Sequence, residues 1–135
     1  MNVGIIWFRN ALRLNDNRVL VECLNSTNSQ TILPLYILDK NDLEQNNNEN
    51  RIKFLYESLI DLDANFKTKF GSNLIVLNSK SEDIFRKLLD SDLLDISEIF
   101  TDYSNKPDDI KNENNLKSIL SKHTSVKLHL ISKVN

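Results

Sequence analysis

Two arginines stand four residues apart in the stretch Trp7-Phe8-Arg9-Asn10-Ala11-Leu12-Arg13-Leu14-Asn15-Asp16-Asn17-Arg18-Val19-Leu20. An apolar run ends at Phe8 and a helical apolar pattern begins at Val19, so Arg9, Asn10, Arg13 and Asn15 fall on the loop between them. Guanidinium groups donate hydrogen bonds in a planar fork that suits ring carbonyls, carboxylates and phosphates. A second polar group follows late in the chain: Asp102, Tyr103, Ser104, Asn105, Lys106, Asp108 and Asp109. It is mostly acidic and carries one aromatic ring. A basic rim facing an acidic one suits a planar ligand that is anionic or rich in hydrogen-bonding groups. Taken singly, each residue also has a structural use. Arg13 can pair with a loop carboxylate, and Asn15 or Asp16 can cap the first helix.

Other chemistries lack their parts. The chain has only two glycines, Gly4 and Gly71, so it forms neither a G-x-G-x-x-G loop nor a P-loop. No G-x-S-x-G elbow presents a nucleophilic serine. No Cys/His group has metal-ligand spacing, and no metal site is expected. His123 near a helix end and His129 on the last strand read as cap or surface residues. Cys23 is the single cysteine and lies on the apolar face of the first helix, where it reads as a small core residue. It cannot form an internal disulfide, which fits an intracellular setting, cytoplasmic or nuclear. No catalytic residue is assigned.

Alternating apolar runs and helical patterns position these groups. Residues 3–8 form a near-continuous apolar run, the pattern of a strand buried on both faces. Val19, Leu20, Cys23 and Leu24 give the first helix its apolar side. Residues 31–38 are a second strand in which Pro34 predicts a bulge or an irregular ladder position. Residues 39–50 read as a polar loop. A long helix follows, with Ile52, Leu55, Leu59, Leu62 and Phe66 on one stripe and Gly71 at its end. Residues 74–77 are a third strand, and Ser81 is placed to cap a short helix carrying Ile84, Phe85, Leu88 and Leu89. Residues 96–101 are a fourth strand. Pro107 opens the next helix, with Asp108 and Asp109 in its first turn. Residues 126–131 are a fifth strand.

Strands joined by single helices run parallel with right-handed crossovers. The expectation is an α/β fold: a doubly wound, Rossmann-like five-stranded parallel sheet of order 3-2-1-4-5, with helices on both faces and residues 1–135 as one domain. In that order the loops after strands one and four leave in opposite directions. The crevice between them is the usual ligand site.

Composition agrees with a globular domain: 135 residues, 40% hydrophobic and 27% charged. With 17 Lys+Arg against 19 Asp+Glu, the net charge of −2 gives no reason to expect direct DNA binding by the whole surface. No apolar stretch is long enough to span a bilayer, so no membrane partner is expected.

The opening segment resembles the signature of the photolyase/cryptochrome family, roughly W-F-R-x-D-L-R-L-x-D-N-x-A-L. The likeness continues through Leu35-Tyr36-Ile37-Leu38-Asp39, through the R-x-x-F-L-x-x-S-L-x-x-L pattern from Arg51 to Leu62, through Gly71-Ser72-Asn73-Leu74-Ile75-Val76-Leu77, and through Tyr103 to Pro107. It covers almost the whole chain. Ala11 departs from it where the family usually has Asp. Asn112 and Glu113 depart from an Arg-Asp pair that helps fix the first loop to the fourth helix, so relaxed or altered constraint is expected there.

The resemblance implies a light-harvesting role. Some members hold an antenna chromophore on this domain: methenyltetrahydrofolate, 8-hydroxy-5-deazaflavin or FMN. For the flavin-like type the matching positions are Ala11-Leu12-Arg13, Asp39 and Arg51. For the folate type they are Asp108 and Asp109, after the loop that begins at Tyr103. The catalytic FAD of the family lies in a second, all-helical domain. The sequence ends after its fifth strand and has one tryptophan, Trp7, so FAD is not expected on this chain and catalysis is not expected of it alone. A separate helical FAD-binding chain is then the implied partner, as in a split photolyase, with a truncated remnant as the other form of this reading. The alternative is a nucleotide- or protein-binding regulatory module of the same fold without photochemistry.

Overall fold

The computed structural model describes residues 2–26, 31–39 and 49–132. Strands β1 (Asn2–Phe8), β2 (Thr31–Leu38), β3 (Ile75–Asn78), β4 (Asp95–Asp102) and β5 (Lys127–Ile131) form one sheet of order β3-β2-β1-β4-β5. Every strand pair is parallel. The helices between them are α1 (Arg18–Asn25), α2 (Glu49–Phe70), α3 (Ser81–Asp90) and α4 (Pro107–Leu120). This is the expected topology.

The apolar run of β1 fills both faces of the sheet. Ile5 and Trp7 join Leu35, Ile37, Phe85, Ile99 and Leu116 in the core under α3 and α4. Ile6 and Phe8 join Leu20, Cys23, Leu59, Leu62, Phe66 and Phe100 under α1 and α2. The period of two along the strand sends neighbours to opposite faces. Each fully buried aliphatic or aromatic side chain contributes about 1.5–3 kcal/mol.

Local details depart from expectation. Asn17, not Asn15 or Asp16, caps α1: its backbone is extended and its Oδ1 accepts the Leu20 N–H at 3.2 Å. Asp16 is left-handed, with φ 52°, which removes it from the extended geometry a cap needs. Ser81 is the first residue of α3 rather than its cap; Lys80 holds the cap position without a side-chain bond. Pro34 stays in regular register with Ile6, and pairing to β3 starts only at Leu35, so a missing donor on that side breaks no bond. The register shift lies instead between β1 and β4, at Val3/Gly4. Leu24 is exposed because the short α1 turns it away from the sheet. Of the expected polar loop, residues 40–48 lie outside the described residues.

The long α2 stripe divides in two. Leu59, Leu62 and Phe66 are buried, whereas Ile52 and Leu55 are half-buried near the C-terminal end of β2. At its far end, Gly71 (φ 71°) donates its N–H to the Lys67 carbonyl, and Asp63 Oδ1 accepts the Leu74 N–H at 2.8 Å. Among the described residues no helix is long and apolar enough to cross a membrane.

Candidate functional site

The loops after β1 and β4 meet at the C-terminal edge of the sheet, and Arg9 joins them. Its side chain is only 5% exposed. Nη2 donates to Glu113 Oε1 at 2.6 Å and to the Asp102 carbonyl oxygen. Nη1 donates to the Asp109 carbonyl at 3.3 Å. Nε makes no hydrogen bond but lies 3.6 Å from Asp102 Oδ1, and the guanidinium stacks 4.9 Å from the Trp7 ring centre. A buried guanidinium is tolerated only when so paired.

Asn10 extends the seam. Its Nδ2 donates to Asp102 Oδ2 at 2.9 Å and Asp109 Oδ2 at 3.3 Å, and its Oδ1 accepts from Lys106 Nζ at 3.0 Å. Ser104 Oγ donates to the same Asp109 oxygen at 2.6 Å. The expected crevice between β1 and β4 is therefore filled by protein side chains.

Glu113 gives the altered constraint its form: in place of the Arg-Asp pair, it binds Arg9 directly from inside the fold and ties the first loop to α4. The sequence did hold a signal: Asp109, Glu113, Leu116 and Leu120 share one helical stripe, and a charge on an inward stripe needs a buried partner. Glu98 carries the same signal on a strand. It is buried, accepts from Ser26 Oγ at 2.6 Å and lies 3.2 Å from His129 Nε2. His129 stacks on Phe100 with ring centres 4.5 Å apart. Burial, with Glu98 nearby, pushes the Cys23 thiol up to about 12.

Open space lies on the two flanks of the seam. One cavity of about 490 Å³ is lined by Tyr36, Leu38, Arg51, Ile52, Leu55, Lys106, Asp108 and Asp109, with Arg9 and Asn10 at its inner wall. The other, about 470 Å³, is lined mainly by residues of the 11–21 segment, with Asp102 and Ile131.

The sequence-predicted residues are thus divided. Arg51, Asp108 and Asp109 converge on the first cavity. Arg13 lies in the second, where its Nε donates to the Asn15 carbonyl at 3.0 Å. Asp39 lines a small void of about 50 Å³ with Ser81 and Asn112. Leu12 packs against the core under α1 and α2. Tyr103 is exposed, and its N–H donates to the Ile131 carbonyl at 2.8 Å. Among the described residues, Arg13 and Arg51, paired by the family resemblance, line different cavities. Tyr36, Ile52 and Leu55 were legible only as sheet and stripe positions.

The first cavity offers what a planar polar ligand needs: an aromatic and aliphatic wall, three cations (Arg9, Arg51 and Lys106) and two carboxylates. Comparison with known proteins gives the family and the fold. A family model described as DNA photolyase matches residues 4–134. Cryptochrome-1 of Spalax judaei is 36% identical over 105 residues, covering 77% of this chain and 17% of the relative. The blue-light photoreceptor PHR2 of Arabidopsis thaliana is 37% identical over 93 residues, covering 63% of this chain and 20% of the relative. The fold is similar to that of the photolyase from Sulfolobus tokodaii, with TM-score 0.82 and 22% identity over 96% of this chain and 29% of that one. It is also similar to the Synechocystis cryptochrome, with TM-score 0.83 and 22% identity over 97% and 27%. The 135 residues span less than a third of each of these proteins. On the family match and the shared fold, the chain belongs to the DNA photolyase family.

Proposed function

We propose that this domain holds an antenna chromophore in the cavity between α2 and the start of α4. The observation that carries this reading is the convergence of Tyr36, Ile52 and Leu55 with Arg51, Asp108 and Asp109 around about 490 Å³, a volume suited to one heterocyclic ligand. The apolar wall accepts a ring face. Arg51 can donate to ring carbonyls or to an anionic arm, and the carboxylates can accept ring N–H groups. Methenyltetrahydrofolate, 8-hydroxy-5-deazaflavin and FMN all present such groups. The Sulfolobus tokodaii structure is described as containing two FAD molecules and implying a novel light-harvesting cofactor, so FAD belongs among the probes.

Energy gathered here would pass to a helical FAD-bearing domain, the proposed partner, on a separate photolyase chain or on the remainder of a longer one. Light-dependent DNA repair or signalling then belongs to that assembly.

The test is titration of the purified chain with the four chromophores, followed by chromophore absorbance and emission. Saturable binding at micromolar concentration or tighter, weakened by Arg51→Ala, is the expected result. No binding by a chain whose circular dichroism shows a folded α/β domain would defeat the antenna reading. It would leave a protein- or nucleotide-binding module of the same fold.

A further inference from the structure

Building on that cavity reading, we propose that Lys106 selects ligands by charge, and that the cavity takes an aromatic heterocycle carrying a phosphate or carboxylate arm in preference to the same ring without one. Lys106 is fixed at three points. Its N–H donates to Ser104 Oγ at 3.2 Å, its carbonyl accepts the Ile110 N–H at 3.0 Å, and its ammonium donates to Asn10 Oδ1 at 3.0 Å. Asn10 cannot turn freely, because its Nδ2 is committed to Asp102 and Asp109. The amide therefore presents its oxygen to the lysine and its nitrogen to the carboxylates.

The surrounding charges explain why this cation matters. Asp102 and Glu113 are engaged by Arg9, and Asp109 accepts from both Ser104 and Asn10. Asp108 is exposed at the mouth of the cavity, and among the described residues no ion pair joins it to Lys106. Lys106 is thus held by a neutral amide. An ammonium has three donors, and Asn10 uses one. Lys106 is exposed and lines the cavity, so the remaining donors are open to a ligand there. Arg51 lines the same cavity, as do the carboxylates Asp108 and Asp109, so an anionic arm is favoured where it meets Lys106 and Arg51 and is repelled towards the carboxylates.

FMN and riboflavin separate this inference from the cavity reading, because they share a ring and differ in one phosphate. The expected result is FMN binding about tenfold tighter than riboflavin, a difference that shrinks with added salt and disappears in Lys106→Gln. Riboflavin affinity should fall far less than FMN affinity in that variant, and Lys106→Glu should place FMN below riboflavin. Equal binding of the two by the native chain would overturn charge selection while leaving the cavity as a ring site. A preference that survives Lys106→Gln but is lost in Arg51→Gln would assign the arm to Arg51 and overturn the role of Lys106. If neither flavin binds the folded chain, nor any of the other chromophores, the cavity reading fails and this inference with it.

Discussion

The two cavities flanking the Arg9 seam are nearly equal in size and unlike in construction. That beside α2 draws its walls from the ends of β1 and β2 and the starts of α2 and α4, segments separated by up to about a hundred residues. The one beside α1 is lined largely by one continuous segment, from Ala11 to Val21. A cavity lined mostly by one continuous segment, closed by Asp102 and Ile131, draws on fewer distant elements. A cavity on which distant elements place an aromatic ring, aliphatic side chains and opposite charges is the kind a ligand can exploit with several groups at once. Volume alone would rank the two as equals; convergence separates them.

The largest effect is expected from the wall between the cavities. Glu113→Ala leaves Arg9 buried without its closest carboxylate, and breaking a buried ion pair costs about 3–5 kcal/mol. Urea denaturation should show that loss, and chromophore binding should weaken with it. A loss below about 1 kcal/mol would mean that the seam is not what holds the two flanks apart.

Glu98→Ala supplies the contrast, because this buried carboxylate borders neither cavity. Losing its bonds to Ser26 and His129 should lower stability by about 1–3 kcal/mol and leave chromophore affinity unchanged. A change in affinity of more than a few-fold would show that the site depends on the whole sheet rather than on its C-terminal edge.

The comparison sharpens further at the two arginines. Arg51→Ala should weaken chromophore binding about tenfold, as for loss of one charge-assisted hydrogen bond. Arg13→Ala should leave binding unchanged and alter stability by less than about 0.5 kcal/mol, since its side chain is exposed. The reverse ranking would move the site to the α1 flank.

Cys23 borders neither cavity and reports instead on the core under α1 and α2. Its thiol is raised from 9.0 to about 12 by burial and by Glu98. Above pH 9 the unfolded chain releases this proton before the folded one does. The contribution to stability is therefore complete below pH 9 and is lost as pH rises from 9 towards 12. At pH 8 the folded chain should react far more slowly with a thiol reagent than the chain in denaturant. Equal rates would place Cys23 outside the core.

Much of this architecture could be read from the residues. The apolar run of β1 and the alternation of strand and helix pointed to a parallel, doubly wound sheet, because periodicity and crossover handedness depend on local pattern; the order 3-2-1-4-5, as expected, is the one formed. Asp108 and Asp109 were expected at the sheet's C-terminal edge from the topology, and Arg51 entered only through the family resemblance, for a different chromophore type; that the three line one cavity was not legible. What escaped was pairing across the fold. Glu113 and Arg9 are 104 residues apart, and nothing local says that they meet. Arg13 looked equivalent to Arg9 because both belong to one loop. Arg9 turns inward to Glu113 and Asp102, whereas the Arg13 backbone is held by Asn17, whose Nδ2 donates to the Arg13 carbonyl at 2.8 Å while its Oδ1 caps α1. That choice depends on which residue takes the left-handed turn, and Asp16 and Asn17 are both competent by type.

Trp7 is the single tryptophan, buried edge-on against Phe85 at 4.9 Å and covered by the Arg9 guanidinium. Its position gives the protein an internal optical reporter. Indole emission from this chain comes from one dry location, directly behind the side chain that forms the cavity's inner wall. A heterocycle absorbing in the near ultraviolet and seated there would drain that emission by dipolar energy transfer. Excitation of the protein would then light the ligand, and occupancy could be followed without a label.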